Sequence, residues 1–242
     1  MITFKVLRKR ISVPNSYSDI TVNQLNEIIE NRNNEEKLIK LLTGLSVSEA
    51  AFIQFDTIAE HLTFLDESPY KLDPDNLIRF NEEDYLIPEN IGSGSYGSKI
   101  IALKAYRENN PLRLVSVYLQ PKIDKGPLNI ERLEEIEKGL SELKVSEVYP
   151  LVNHVAEELK RWSDIEKKVL SSKPTPEQIR AGIDMFNQLG EFNSLDMLAE
   201  GKVWRYNDVL NTEYSTIFNK LLKINLSATF ERNLNDIKNK TE

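Results

Sequence analysis

The apolar residues change from strand-like alternation to helical spacing twice along the chain, and this order constrains the fold most. Ile2–Leu7 and Ile11–Val13 alternate on either side of Arg8-Lys9-Arg10, which predicts a hairpin that ends at Pro14. From Asp19 to Asn31 the apolar residues recur at helical spacing, so a helix is expected directly after the hairpin. The chain therefore opens with a strand-strand-helix unit.

A second helix and a second hairpin follow in the same order. Glu35–Leu42 is predicted to be helical and to stop at Gly44, because glycine readily adopts the left-handed conformation that ends helices. Leu77–Phe80 and Tyr85–Ile87 are short apolar runs around a predicted four-residue loop, Asn81–Asp84. A helical pattern comes next, at Lys99–Arg107, and an apolar run follows at Leu112–Leu119.

Short matches at a nearly constant offset indicate an internal duplication. Pro14 and Pro88 each follow a predicted hairpin, and Asn33-Asn34 and Asn109-Asn110 each precede an apolar run. The second copy carries an insertion at Lys122–Leu143, with one amphipathic helix whose apolar residues are Ile130, Leu133, Ile136 and Leu140. The predicted fold class is α+β, mainly helical: hairpin-helix repeats at 1–75 and 76–170, then a helical carboxyl-terminal region at 171–242.

The carboxyl-terminal region supplies the candidate interface residues. Thr175 is expected to cap a helix whose core-facing residues are Ile179, Ile183, Phe186 and Leu189. Asp208–Lys238 is predicted to form one or two long amphipathic helices. The apolar positions thin out at its end, which suits an interface better than a core, although packing on the protein's own body is the alternative. The candidate interface residues are Leu226, Phe230, Leu234 and Ile237, with Trp162 and Trp204 as interface anchors or core residues.

Composition excludes several classes of protein. The chain has 40% hydrophobic residues, no cysteine and no apolar run of membrane-spanning length, so we expect a soluble protein without disulfides or a membrane partner. Its order of basic and apolar segments differs from that of a signal peptide. With a net charge of −7 and no basic cluster beyond residues 8–10, no nucleic-acid partner is expected.

One segment resembles a phosphate-binding loop, but its surroundings argue against that function. Gly92–Gly97 matches G-x-G-x-x-G, and Lys104 lies in a sequence similar to the lysine strand of a protein kinase. Lys104 lies only seven residues beyond Gly97, which is too short a spacing for the kinase arrangement. The chain also has no H-R-D or D-F-G triplet to supply the catalytic base and the metal ligands. The favoured interpretation is a turn before a helix.

Catalytic and metal-binding patterns are also missing. His61 and His154 each stand without a second histidine or a cysteine at helical spacing, so no zinc site is predicted. The chain has no G-x-S-x-G nucleophile motif. We therefore predict a protein that is not an enzyme, with no catalytic residue, cofactor or metal.

Several segments occur in a recognisable order along the chain: Ile11–Pro14, Tyr17–Leu25, Glu36–Leu45, Phe80–Pro88, Met197–Lys202 and the helix that starts near Asp208. This order resembles that of proteins from the structural modules of tailed bacteriophages. Some relatives of that kind are described as tail assembly chaperones, and others are virion proteins of crAss-like phages. Gly92–Gly97 departs from the Thr-x-Gly-Gln-like turn expected there.

The resemblance implies a non-enzymatic structural or assembly component of a phage particle, in the tail or head-tail region. Such a protein is made in the host cytoplasm and resides in the virion. Its expected partners are copies of itself in a symmetric multimer and neighbouring tail or connector proteins. The first alternative is a tail assembly chaperone that is absent from the mature virion, and the second is a nucleotide-binding or kinase-like enzyme.

Overall fold

The computed structural model describes residues 1–6, 9–50, 53, 55–171 and 174–241. The chain is mainly helical with two small antiparallel hairpins, which confirms the predicted α+β class. The strands are β1 Ile2–Val6, β2 Lys9–Val13, β3 Leu77–Phe80 and β4 Glu83–Leu86. The helices are α1 Val22–Glu30, α2 Glu35–Thr43, α3 Val47–Ala50, α4 Phe55–Ala59, α5 Tyr96–Arg107, α6 Pro111–Asp124, α7 Ile130–Ser141, α8 Val145–Val169, α9 Pro176–Arg180, α10 Glu191–Leu198, α11 Tyr206–Asn211 and α12 Tyr214–Thr241. Short 3-10 turns lie at Thr63–Asp66, Pro69–Lys71, Ile91–Ser93, Ile183–Leu189 and Val203–Arg205.

Both predicted hairpins are present, but their turns are tighter than predicted. In the first, Ile2 pairs with Val13 and Val6 pairs with Lys9, so Lys9 and Arg10 belong to β2 and not to the turn. The predicted strand residue Leu7 and the predicted turn residue Arg8 lie outside the described residues. In the second, only Asn81 and Glu82 connect the strands, and both have positive φ (50° and 66°). Two-residue turns of this kind match the twist of the flanking strands, so the prediction of a four-residue loop was wrong.

The first two helices follow the sequence signals closely. The Thr21 side chain accepts from the Gln24 backbone N–H, and the Gln24 side chain returns the bond, so α1 begins with a capping box. Three of the four predicted face residues, Val22, Leu25 and Ile28, are buried, whereas Ile29 is exposed. As predicted, α2 ends at Gly44, whose φ is +69°.

The long helices α6 and α8 carry much of the core. Their fully buried residues include Val115, Leu119, Leu151 and Val155. The inserted helix α7 packs on α6 through Leu133, Ile136 and Leu140, as predicted, while Ile130 is exposed.

One hydrophobic cluster runs through both predicted repeats and into the carboxyl-terminal region, from Val13 to Ile217. Two pairs of helix starts are joined by reciprocal backbone hydrogen bonds. At α1 and α8 the bonds are Val22 N to Leu143 O and Val145 N to Ile20 O, each 3.0 Å. At α5 and α12 they are Tyr96 N to Thr212 O and Tyr214 N to Gly94 O, each 2.8 Å. The segments 1–75, 76–170 and 171–242 therefore share one core, and the duplication stays a prediction.

The segment after residue 175 differs most from the prediction. The capping box at Thr175 and Gln178 forms, but α9 ends at Arg180 and Gly182 takes a positive φ of 81°. Because this break shifts the helical phase, the predicted core residues Phe186 and Leu189 after it are exposed, and Ile183 is half-buried. Ile179 precedes the break, in the short helix α9, and is also exposed, so its assignment to the core was wrong. The prediction of one or two long helices from Asp208 is confirmed by α11 and α12.

Candidate interaction surface

The last helix is anchored to the body only along its first half. Tyr214 and Ile217 of α12 are buried, and the Asn225 side-chain amide donates to the Val169 carbonyl at the end of α8 (2.8 Å). From Leu226 to Asn239 every residue is exposed. At 1.5 Å per residue, the segment from Leu226 to Asn239 is about 21 Å of helix whose side chains are not buried in the protein's own core.

Four apolar side chains form one stripe along this exposed segment. They are separated by four, four and three residues, which places them within one face of the helix. Their exposed fractions range from 39% to 65%. We call this set the α12 stripe; its members are Leu226, Phe230, Leu234 and Ile237. The structure thus places all four members of the α12 stripe outside the core, and interface formation itself remains a prediction.

A buried polar cluster holds the anchored half of α12. The Glu166 carboxylate accepts hydrogen bonds from the Lys99 ammonium and from the Tyr214 hydroxyl, and Lys99 Nζ lies 3.0 Å from the Tyr214 oxygen. Burial, with Glu166 adding to it, raises the pKa of Tyr214 well above its ordinary value. Lys99 is 5% exposed and Tyr214 is 1% exposed, so a substrate reaches neither group. The cluster joins α5, α8 and α12 and is structural.

The two tryptophans have opposite environments. Trp162 is 8% exposed, donates from Nε1 to Asn90 Oδ1 (3.0 Å), and meets the rings of Tyr214 and Phe218 edge-on at 5.0 and 5.3 Å. It is a core residue, which is the second of the two interpretations that the sequence allowed for it. Trp204 is 77% exposed in the 3-10 turn Val203–Arg205. Val203 beside it is 68% exposed, and the sequence analysis did not single it out.

The glycine segment is explained by close packing. A Cβ on Gly92 would overlap the Trp162 ring, and a Cβ on Gly94 would lie 2.9 Å from the Tyr118 ring. The Gly92 N–H donates to Asn90 Oδ1 (2.9 Å) and the Gly94 N–H donates to the Ile91 carbonyl (3.0 Å), so both are already occupied. Lys104 lies on the exposed side of α5, 3.8 Å from Glu108, and not on a strand.

We predict that neither the wild type nor Lys104→Ala binds ATP or NAD more tightly than about 1 mM. The reason is that the Gly92 and Gly94 N–H groups are already occupied and Lys104 lies on the exposed side of α5. Titration calorimetry on the wild type and the variant checks this. Lys122→Ala is the matched control, since Lys122 lines a cavity of about 430 Å³ beside Gly94 and Ser95. Micromolar binding that is lost in either variant would contradict the prediction.

The remaining candidate groups are the histidines and the possible metal ligands. His154 Nε2 lies 3.0 Å from the Pro88 carbonyl oxygen and is thereby held in place. Among the described residues no group of three or more His, Cys, Asp or Glu side chains is arranged to hold a metal ion. Over the same residues, no helix has both the length and the apolar character to cross a membrane. Comparison with protein-family models, with curated proteins and with solved structures gave no match for the chain.

Proposed function

We propose that this protein is a non-enzymatic structural or assembly component of a tailed bacteriophage particle, in the tail or head-tail region. It acts as one copy in a symmetric multimer, and α12 makes the contact between copies. The observation that carries the proposal is the α12 stripe on a helix segment exposed from residue 226 to residue 239. The phage assignment is supported by the resemblance of the sequence alone.

The physics of an isolated helix favours a partner for this segment. Isolated helices shorter than about 12–15 residues are marginal in water, and most helices gain their stability by packing an amphipathic face. Fully burying a Leu, Ile or Phe side chain stabilises a complex by about 1.5–3 kcal/mol relative to leaving it exposed. Covering the α12 stripe would therefore stabilise both the helix and the assembly.

The charges around the stripe fit a partner that is a copy of the same chain. Identical copies bring like charges together, and the whole chain carries a net charge of −7. The exposed segment is balanced, because Glu231 and Asp236 are offset by Arg232 and Lys238. A neutral segment with one apolar face avoids the repulsion that the rest of the surface would produce.

A tail assembly chaperone is the second candidate, because the same exposed stripe suits transient binding to an incompletely assembled tail protein. Mass spectrometry of purified particles, compared with the infected-cell lysate, separates the two. As a structural component the protein is expected in the particles at a fixed ratio to the major tail protein through successive gradients. A chaperone would be abundant in the lysate and missing from the particles, and that result would contradict the structural role.

A further inference from the structure

A cavity of about 510 Å³ lies between α8, the corner that joins α5 to α6, and the 3-10 turn Pro69–Lys71. This volume is within the range of pockets that bind small ligands or single side chains. The cavity shares no lining residue with the α12 stripe, so its ligand does not depend on the phage assignment. We call it the tyrosine cleft; the residues that matter are Tyr70, Tyr106, Asn109, Asn153 and Glu157.

Two partly exposed tyrosines form the walls of the tyrosine cleft. Tyr70 packs edge-on against Tyr149 at 5.3 Å between ring centroids, which fixes its orientation. Tyr106 lines the same cavity, and burial, with a smaller contribution from Tyr106, raises the pKa of Tyr70. The Tyr70 hydroxyl lies 3.5 Å from Asn109 Oδ1, on a residue with positive φ (54°) at the corner. The walls are therefore aromatic rings set in a fixed frame.

The polar atoms of the cleft that lack partners are hydrogen-bond acceptors. Asn153 is 6% exposed, and its Nδ2 donates to the Leu72 carbonyl (2.5 Å), whereas its Oδ1 accepts no hydrogen bond from the described residues. Glu157 forms no ion pair within the same part of the chain. Asn110 Oδ1 is already used, because it caps α6 by accepting from Arg113 N (3.0 Å). No lysine or arginine lines the cleft.

We propose that the tyrosine cleft binds the guanidinium group of an arginine side chain presented by a partner protein. A cation over a tyrosine face is attracted by the ring quadrupole. The planar guanidinium stacks on such rings and still directs its N–H groups to acceptors, here the Glu157 carboxylate and Asn153 Oδ1. Lysine fits less well because its ammonium is a compact point charge that cannot stack.

An apolar side chain is the main competing occupant, and the lining argues against it. Such a group would remove water from Asn153 Oδ1 without replacing the lost hydrogen bond, and it would leave the exposed Glu157 carboxylate without a partner. Burying an unsatisfied polar group is costly. Only a ligand that is both flat and rich in donors satisfies the rings and the acceptors together.

The test uses an acetylated and amidated Gly-Arg-Gly peptide, with the same peptide containing citrulline as the uncharged isostere. Binding is followed by amide chemical shifts of the full-length protein. The arginine peptide is expected to bind with a Kd of about 1 mM and to shift the Asn109 and Asn153 side-chain amides. The citrulline peptide is expected to bind about tenfold more weakly, because it lacks the charge that the carboxylate and the rings attract.

Variants locate the binding in the cleft. Glu157→Gln is expected to weaken binding of the arginine peptide about tenfold, whereas Glu134→Gln, at an exposed glutamate of α7, leaves it unchanged. Tyr106→Ala, which removes one exposed wall, is expected to weaken it by a similar factor. Equal affinity for the two peptides, equal effects of Glu157→Gln and Glu134→Gln, or no shift at about 20 mM peptide would each overturn the proposal.

Discussion

Glu166→Gln lowers the free energy of unfolding by about 2 kcal/mol, because it leaves the Lys99 ammonium in the core without its counter-ion. The Lys99 side chain is 6% exposed and that of Glu166 is 24% exposed. Removing one partner of a fully buried pair costs about 3–5 kcal/mol, and the partial exposure of Glu166 reduces that figure. The Tyr214 hydroxyl keeps an acceptor in the variant, so the loss is mainly that of the charge.

Urea unfolding followed by tryptophan fluorescence measures this effect, since Trp162 contacts Tyr214. Glu108→Gln is the matched control: its partner Lys104 is exposed, and we expect a change below about 0.5 kcal/mol. The double variant Lys99→Met/Glu166→Leu should recover only part of the loss, because an apolar pair replaces a broken ionic one but the buried Tyr214 hydroxyl loses its acceptor. A stability of Glu166→Gln equal to that of Glu108→Gln would show that the cluster does not hold α12.

The elements that were predicted well are those fixed by neighbouring residues. Thr175 with Gln178 forms a capping box within four residues of chain, and Gly44 ends α2 through its own backbone conformation. Such signals act locally, so periodicity and caps located the helices. The same holds for the buried face of α7.

The wrong predictions lie where the conformation of one or two residues changed the phase of a helix or the length of a turn. Gly182 breaks the helix expected after Thr175, and a period extended across it placed Phe186 and Leu189 in the core. The turn at Asn81 and Glu82 was predicted to be too long, because a glutamate with positive φ is uncommon and was not expected there. Neither event leaves a hydrophobic pattern that would have revealed it.

Contacts between residues far apart in the chain could not be predicted from the sequence. The backbone bonds between the starts of α1 and α8, and of α5 and α12, join residues more than a hundred positions apart. The α12 stripe was found because its sparse spacing is a local property, whereas Trp162 gave no sign that Asn90 and Gly92 would enclose it. The tyrosine cleft combines residues from four separate segments, so no motif marks it.

Replacing all four residues of the α12 stripe by glutamine is expected to leave the fold intact and to weaken self-association about a thousandfold or more. The fold is preserved because these side chains are exposed in the single chain. Association is lost because each substitution replaces an apolar contact by a polar group that must be desolvated. Glutamine is also a good helix former, so helix propensity changes little.

A variant with three glutamines on the opposite face of α12 is the control. It replaces Ala228, Asn235 and Asn239, which are also exposed. This variant is expected to associate like the wild type, because its substitutions face away from the stripe. Equal loss of association in both variants would show that the stripe has no special role.

Sedimentation velocity on the full chain and on a chain lacking Ser227–Glu242 tests most directly whether the outer half of α12 joins copies of this protein. We expect a multimer for the full chain and a folded monomer for the shortened one, which still unfolds in one cooperative transition although it loses the stabilisation that association adds. A shortened chain that still forms the multimer, or one that unfolds, would contradict this role of α12, and so would a full chain that stays monomeric at all concentrations.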